Sequence, residues 1–324
     1  MGFGDYVHWT AIIRDLYNYI NDNPATIRQI NSLHENKRSS LNRISKIVCE
    51  DNKLPFKFFV EIIGKGNLLN HYVGLQVFQY NPYVTKNKKY PNLIYLEIES
   101  AGYLTFKSKD ILDKLYDDMH VVSRYALDFG LHGSYKYSTG GDFHFSYQEI
   151  RKVKKHLPKK EFIFVEPQNH KYYRESINFS KFQKLVSNLK ERYGDRYEYV
   201  QISPSNFQGV ESKFLINCIT FNDIFTYRET ILFAKHAKLC IVPHGGLSNG
   251  LAAETNEIPN VISIYPCLHK PVMTTFCKEI VHEISDGEHY GCWMPPGSHC
   301  EICNRLNETY DFGKIFNDAI KILD

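Results

Sequence analysis

Leu239-Cys240-Ile241-Val242-Pro243-His244-Gly245-Gly246-Leu247-Ser248-Asn249-Gly250 is the stretch on which the fold turns. Its first residues form a short apolar run that reads as a buried strand, and a helix is expected after Gly245-Gly246. Strand, glycine turn and helix are consecutive parts of a βαβ unit, which implies a parallel sheet. Ligands of open parallel sheets bind outside the carboxyl ends of the strands, so this loop is the first place to look for one. Its three glycines and two small polar residues leave backbone N–H groups open to an anion, and the next helix directs its positive dipole end there. A tight packing turn without a ligand accounts for the same glycines. The loop fits neither GxGxxG nor GxxxxGK(S/T), so neither a dinucleotide oxidoreductase nor a P-loop protein is supported.

The alternation extends outward from this loop. Upstream, strands are expected at Glu161–Glu166 and Tyr197–Ser203 and near Ile219, with helices at Phe179–Arg192 and Ile224–His236. Downstream, Val261–Tyr265 reads as one more strand. In the first half, Val7, Ala11, Ile12, Leu16 and Ile20 share one helical face, and Asn21-Asp22-Asn23-Pro24 stops that helix. A polar helical stretch is expected around Lys37–Val48, then a strand at Pro55–Ile63, a loop at Gly64–Asn67 and a helix at His71–Phe78. The turn Asn81-Pro82 leads to a strand at Asn92–Glu99 and to helical patterns at Lys109–Asp118 and Val121–Phe129. The chain is therefore expected to be α/β, with two Rossmann-like halves.

The 324 residues suit two domains. The stretch Ser134–Lys160, rich in Gly, Ser, Tyr and Lys, marks the boundary, which gives domains at 1–150 and 151–305 and a closing helix at 306–324 expected to pack back on the first domain. Hydrophobic residues at 43% and charged residues at 23% are those of an ordinary globular protein. No apolar run approaches the roughly 18 residues of a spanning helix. A formal charge of +3 is too small to imply a nucleic-acid partner by itself. Six of the ten residues Arg151–Lys160 are Lys or Arg, read as a solvated helix face and linker or as a contact with an anionic membrane surface or an acceptor phosphate. Met1–Asp15 has no basic flank followed by an apolar core, so a cytoplasmic location is expected, with peripheral membrane contact as an extension.

Three further segments carry chemistry. In Gly2-Phe3-Gly4-Asp5, Asp5 reads either as a helix N-cap or as a general base reaching into a cleft between the halves. In Pro167–Asn178, Lys171 and Arg174 suit a diphosphate, although exposed loop cations are common. In Cys218–Glu229, Thr220, Asn222 and Asp223 read as helix caps or as contacts to a nucleobase or ribose. Eight cysteines without an export signal read as thiols or a metal site. Cys292, Cys300 and Cys303 with His289 or His299 have the density, though not the second regular pair, of a zinc site.

Taken in order, the motifs resemble the heptosyltransferase-like glycosyltransferases, glycosyltransferase family nine. Met1–Leu16 looks like that family's opening GxGD loop and first helix. Val77–Val84 looks like its F-x-x-NPYV turn, and His120–Leu131 its H…RY…GL helix. Phe164-Val165-Glu166-Pro167 with Phe179–Leu189, Thr220–Ala234, Leu239–Pro266 and Cys300–Leu323 are similar to its second half. The resemblance implies a GT-B fold, two Rossmann-like domains with parallel sheets facing a central cleft. It implies an enzyme that moves a sugar, with inversion and no metal or other cofactor, from a nucleotide-diphosphate-sugar donor to a hydroxyl of a cell-surface glycan or glycolipid. Carried over by residue, Asp5 is the catalytic base, with Gly4 and His8 beside it on the acceptor side. Lys171, Arg174, Thr220, His244, Gly245, Gly246, Ser248 and Asn249 form the donor site.

There are departures. The family's donor loop has an acidic residue, then Ser or Thr, then Gly, whereas His244–Asn249 is similar to the HGAGLTN loop of other GT-B transferases, which speaks against heptose as the donor. The family also has an apolar strand before GxGD, expected here upstream of Met1 or replaced by another segment. Three rivals stand beside this reading: a different GT-B enzyme, such as a capsular or O-antigen sugar transferase with another donor, a catalytically inactive GT-B-like protein that binds nucleotide or glycan, and a zinc-binding module at Cys292, Cys300 and Cys303.

Overall fold

A computed structural model describes residues 3–23, 43–49, 55–98, 141–168, 177–207, 210–251, 253, 259–266, 279–284 and 301–324. The helical patterns at Lys109–Asp118 and Val121–Phe129 lie outside them. The chain divides into two compact units, Met1–His144 and Phe145–Asp324.

The first unit opens with α1 (Phe3–Asp22), in which Val7, Trp9, Ala11, Ile13 and Leu16 are all fully buried. Burial at positions 7, 9, 11 and 13 reaches well beyond one stripe, so α1 is enclosed rather than amphipathic. Gly141 explains part of this. A Cβ there would lie 2.5 Å from Val7 Cγ1 and 2.7 Å from the Val7 carbonyl oxygen, so only glycine lets the returning chain approach so closely. Next to it the Asp142 N–H donates to Thr10 Oγ1 at 2.7 Å, and Arg14 pairs with the buried Asp142 carboxylate.

The sheet of this unit contains β1 (Arg43–Cys49), β2 (Lys57–Ile62), β3 (Gly66–Asn67) and β4 (Asn92–Ile98), in the order β1-β4-β2-β3. β2 and β4 are parallel, but β1 runs antiparallel to β4 and β3 antiparallel to β2, so the sheet is mixed rather than parallel. The expected helix at Lys37–Val48 is corrected to strand over Arg43–Cys49. A register irregularity between Ile44 and Lys46 breaks the period-two pattern that would have marked it. Gly64 and Gly66 have φ of 75° and 79° with nothing crowding them, so backbone conformation alone selects glycine in the β2–β3 turn. After α2 (Tyr72–Phe78), Asn81 Oδ1 accepts the Tyr83 N–H at 2.9 Å, and Val84 then bridges in parallel to Phe58. The NPYV motif is thus the turn that brings the chain back alongside β2.

The second unit begins with α3 (Tyr147–His156), whose N-terminus is closed by a reciprocal Ser146–Glu149 capping box. The basic run is mostly this helix: Lys154 and Lys155 are exposed, while Lys152 Nζ is held at 2.8 Å by Glu229. The strands that follow are β5 (Phe162–Val165), β6 (Glu198–Ser203), the short pair β7 (Asn206–Phe207) and β8 (Val210–Glu211), and β9 (Ile219–Asn222). β10 (Leu239–Pro243), β11 (Asn260–Pro266) and β12 (Glu279–Ile284) complete the set. The helices are α4 (Phe179–Tyr193), α5 (Tyr227–Ala234), α6 (Gly246–Leu251), α7 (Glu301–Thr309) and α8 (Phe312–Leu323).

Six strands form one sheet in the order β12-β11-β10-β5-β6-β9, every pair parallel. Setting aside the β7–β8 pair and numbering its strands one to six, the sheet reads 3-2-1-4-5-6, the doubly wound order. All residues of β5 and β10 are buried, as expected for central strands covered on both faces. The closing helix is corrected to two helices, α7 and α8, and Phe312, Ile315, Ala319 and Leu323 of α8 share a core with Phe182, Leu185, Val186 and Leu189 of α4. No helix among the described residues is long and apolar enough to cross a membrane.

Candidate functional site

A doubly wound sheet reverses its winding between its first and fourth strands, here β5 and β10. In such sheets the loops leaving the carboxyl ends of those two strands diverge to opposite faces, which is where a ligand crevice is expected. The β10 loop is His244–Gly245, and the β5 loop begins with Glu166. The backbone ties the two together, since the Glu166 N–H donates to the Ile241 carbonyl at 3.0 Å.

In the β10 loop the His244 N–H donates to the Ile264 carbonyl of β11 at 2.8 Å. The His244 ring stacks on buried Tyr265, with centroids 3.9 Å apart and planes 19° apart. Gly245 has φ 153°, a conformation that L side chains rarely adopt. Ser248 is fully buried; its Oγ accepts the Gly245 N–H at 3.0 Å and donates to the Gly245 carbonyl at 3.1 Å. Ser248 thus closes the turn. The N–H of Asn249 is likewise taken, by the Gly245 carbonyl at 3.1 Å. Those of Gly246 and Leu247 lie in the first turn of α6, where no earlier carbonyl of the helix can accept them. Of the three glycines, Gly250 serves packing. A Cβ on it would meet Ile231 Cδ1 at 2.4 Å and Tyr227 Oη at 2.8 Å, so its absence lets α5 and α6 touch.

Sequence reasoning missed the residue that follows β5 at the switch point. Glu166 is 3% exposed, and burial pushes its carboxyl up to about 8, despite hydrogen bonds from Ser203 and from the Gln168 N–H that favour the charged form. At neutral pH it is mostly an uncharged acid. Gln201 Nε2 donates to Ser203 Oγ at 3.2 Å and to the Lys213 carbonyl at 3.0 Å, and Gln201 Oε1 accepts the Leu215 N–H at 2.9 Å. The Lys213 N–H in turn donates to Gln168 Oε1 at 2.8 Å. The start of the β5 loop is thus pinned to β6 and to the segment after β8. The available signal was an acidic residue placed directly after the apolar run Phe162–Val165.

Thr220 lies in β9, the edge strand, and is exposed. It does not cap a helix. That role belongs to Thr226, which forms a capping box with Glu229 on α5, while Asp223 Oδ1 accepts the Ser205 N–H at 3.1 Å. Gly4 and Asp5 lie in the first turn of α1 rather than in a loop, so Asp5 is not its N-cap; the Asp5 side chain is outside the described residues. His8 is 4% exposed. Lys171, Arg174, His289, Cys292, His299 and Cys300 fall outside the described residues, as does the side chain of Cys303 in α7. The thiols of Cys218 and Cys240 are raised by burial, that of Cys218 to about 11, so both are protonated at neutral pH.

No protein-family model and no curated protein matches the chain. Solved structures do show similar backbones. One is the glycosyl transferase family 9 from Veillonella parvula DSM 2008, at 12% identity and TM-score 0.49 over 76% of this chain and 85% of that one. Another is the iron-containing dodecameric glycosyltransferase TibC from enterotoxigenic E. coli H10407, at 13% identity and TM-score 0.45 over 64% of this chain and 54% of TibC. A third is the E. coli ADP-heptose LPS heptosyltransferase II, at 12% identity and TM-score 0.35 over 63% of this chain and 64% of that one. Each of the three carries the name of a sugar transferase, and it is to these that the chain is similar.

Proposed function

We propose that this chain is a glycosyltransferase that moves a sugar from a nucleotide-diphosphate-sugar donor to a hydroxyl of a cell-surface glycan or glycolipid, with inversion and with no metal in the chemistry. The observation that carries the reading is the glycine loop His244–Gly246 at the switch point of a doubly wound sheet, with the uncharged Glu166 at the carboxyl end of the neighbouring strand β5. An ionised carboxylate at that position would repel an anionic diphosphate; a neutral acid does not.

In this mechanism the donor diphosphate lies against the backbone of Gly245 and Gly246, with the stacked His244 ring and the amide of Asn249 nearby. Lys171 and Arg174 offset the negative charge that builds on the leaving diphosphate. Asp5 takes the proton of the acceptor hydroxyl as that oxygen attacks the anomeric carbon from the face opposite the diphosphate. The sugar–oxygen bond to the diphosphate breaks as the new glycosidic bond forms, which inverts the anomeric centre.

The experiment is a thermal-stability screen against nucleotide-diphosphate sugars, followed by product analysis with glycan acceptors. A true donor at 100 times its dissociation constant stabilises the fold by about 2.7 kcal/mol. Stabilisation by one or a few donors, with sugar transfer, supports the reading. No stabilisation by any donor overturns it, and stabilisation without hydrolysis or transfer moves the chain to the inactive binding class.

A further inference from the structure

The first unit holds a concave site that the transferase reading leaves unused. It is a groove of about 440 Å³ formed by β2, the β3 segment and the loop that follows Val84. Its lining includes Lys86, Lys88, Lys89, Glu61 and Asn70, together with buried Phe59. We propose that this groove binds a phosphate-bearing saccharide.

Three features carry the proposal. The first is uncompensated charge: Lys86, Lys88 and Lys89 are exposed, and among the described residues none of them forms an ion pair. A phosphate in the groove would meet three cations in one lining, none of them already paired among the described residues. The second is order. Asn87 Oδ1 accepts the Lys89 N–H at 3.0 Å, and the Asn87 N–H donates to Thr85 Oγ1 at 3.1 Å, so the loop is folded around its own side chains. The Lys88 ammonium stands 5.1 Å from the Phe59 ring centroid, which fixes one cation over the lining.

The third feature is the remaining chemistry of the walls. A groove built for a bare polyanion would not include Glu61. A carboxylate and an amide beside lysines suit a ligand with hydroxyl groups next to its phosphate, because the carboxylate accepts from hydroxyls and the amide does both. Asn67 does not compete for the ligand: its Nδ2 donates to the Val60 carbonyl at 3.2 Å and its Oδ1 accepts the Leu69 N–H at 3.0 Å, so it braces the wall. Use of the groove to hold an acceptor glycan rests on the transferase reading. Binding itself does not.

The test is isothermal titration of the full chain with glucose 6-phosphate, inorganic phosphate and glucose, in wild type, in the triple variant K86Q/K88Q/K89Q and in Glu61→Gln. Wild type is expected to bind glucose 6-phosphate more tightly than either fragment, and more weakly as salt rises. The triple variant, with an unchanged melting temperature, is expected to lose about tenfold or more, since each exposed charge contributes modestly. Glu61→Gln is expected to bind inorganic phosphate about two- to fivefold more tightly by removing a like charge, while losing the advantage of the sugar. Equal affinity for phosphate and glucose 6-phosphate, no binding at millimolar ligand, or unchanged affinity in the triple variant would overturn the proposal. Because no arm reads transfer or nucleotide binding, its failure and that of the transferase reading are distinguishable.

Discussion

Ser203 Oγ donates a hydrogen bond to the Glu166 carboxyl across the adjacent strands β6 and β5, at the sheet edge where the crevice opens. The Gln168 N–H reaches its other oxygen at 3.0 Å; in the protonated acid the O–H donates to Ser203 Oγ instead, and no counter-ion is needed.

That arrangement makes stability depend on pH. The Glu166 carboxyl is raised from 4.5 to about 8 on folding, so between those values the folded chain keeps a proton the unfolded chain has released. Its contribution therefore falls as pH rises through that window, by up to about 1.4 kcal/mol per pH unit, and levels off above it. Glu166→Gln removes this dependence. Urea denaturation at several pH values should show the variant gaining on wild type from pH 5 to 8 and holding a constant lead beyond; a pH-independent difference would contradict the assignment.

Asp5→Asn should lower the transfer rate by about 10²- to 10⁴-fold, the usual worth of a general base. Donor affinity should stay the same, because the donor contacts are assigned to the second unit. Single-turnover assays with donor titration separate the two quantities. Full transfer activity in the variant would remove Asp5 from the mechanism.

Gly250→Ala should destabilise the chain by about 1–3 kcal/mol through overpacking of α6 against Tyr227 and Ile231. Gly64→Ala has open space around its Cβ and only its φ of 75° to strain, so it should cost about 1 kcal/mol. Chemical denaturation of both variants distinguishes crowding from backbone strain.

Arg228 is 1% exposed and pairs with Glu149 at 2.6 Å. Burial alone would raise the Glu149 carboxyl, but hydrogen bonds from Arg228 and the Ser146 N–H outweigh it and hold the carboxyl below its usual value. Arg228→Met leaves that carboxylate without its main partner and should cost about 3–5 kcal/mol at neutral pH. The deficit should shrink in acid, where Glu149 takes up a proton, and denaturation at pH 4 and 7 checks this.

The second unit was largely legible because its central strands, such as Phe162–Val165 and Leu239–Val242, are continuous apolar runs set between glycine, proline and polar loops. Strand β12 was not, since Glu279, His282 and Glu283 interrupt its apolar residues as befits an edge. In the first unit the irregularity at Ile44–Lys46 hid β1 as a helix. The glycine loop could be located, but not the direction of Ser248, which is decided by how the turn closes on Gly245. Glu166 became a candidate only when the sheet set it beside Ser203, 37 residues away in the chain.

The central claim is that a nucleotide-diphosphate-sugar donor binds at the switch point between β5 and β10. A crystal structure of the chain soaked with the donor that stabilises it most tests this directly. The account predicts the diphosphate against the backbone of Gly245 and Gly246, with Glu166 beneath it and His244 at its side. A diphosphate seated anywhere else on the chain would contradict it.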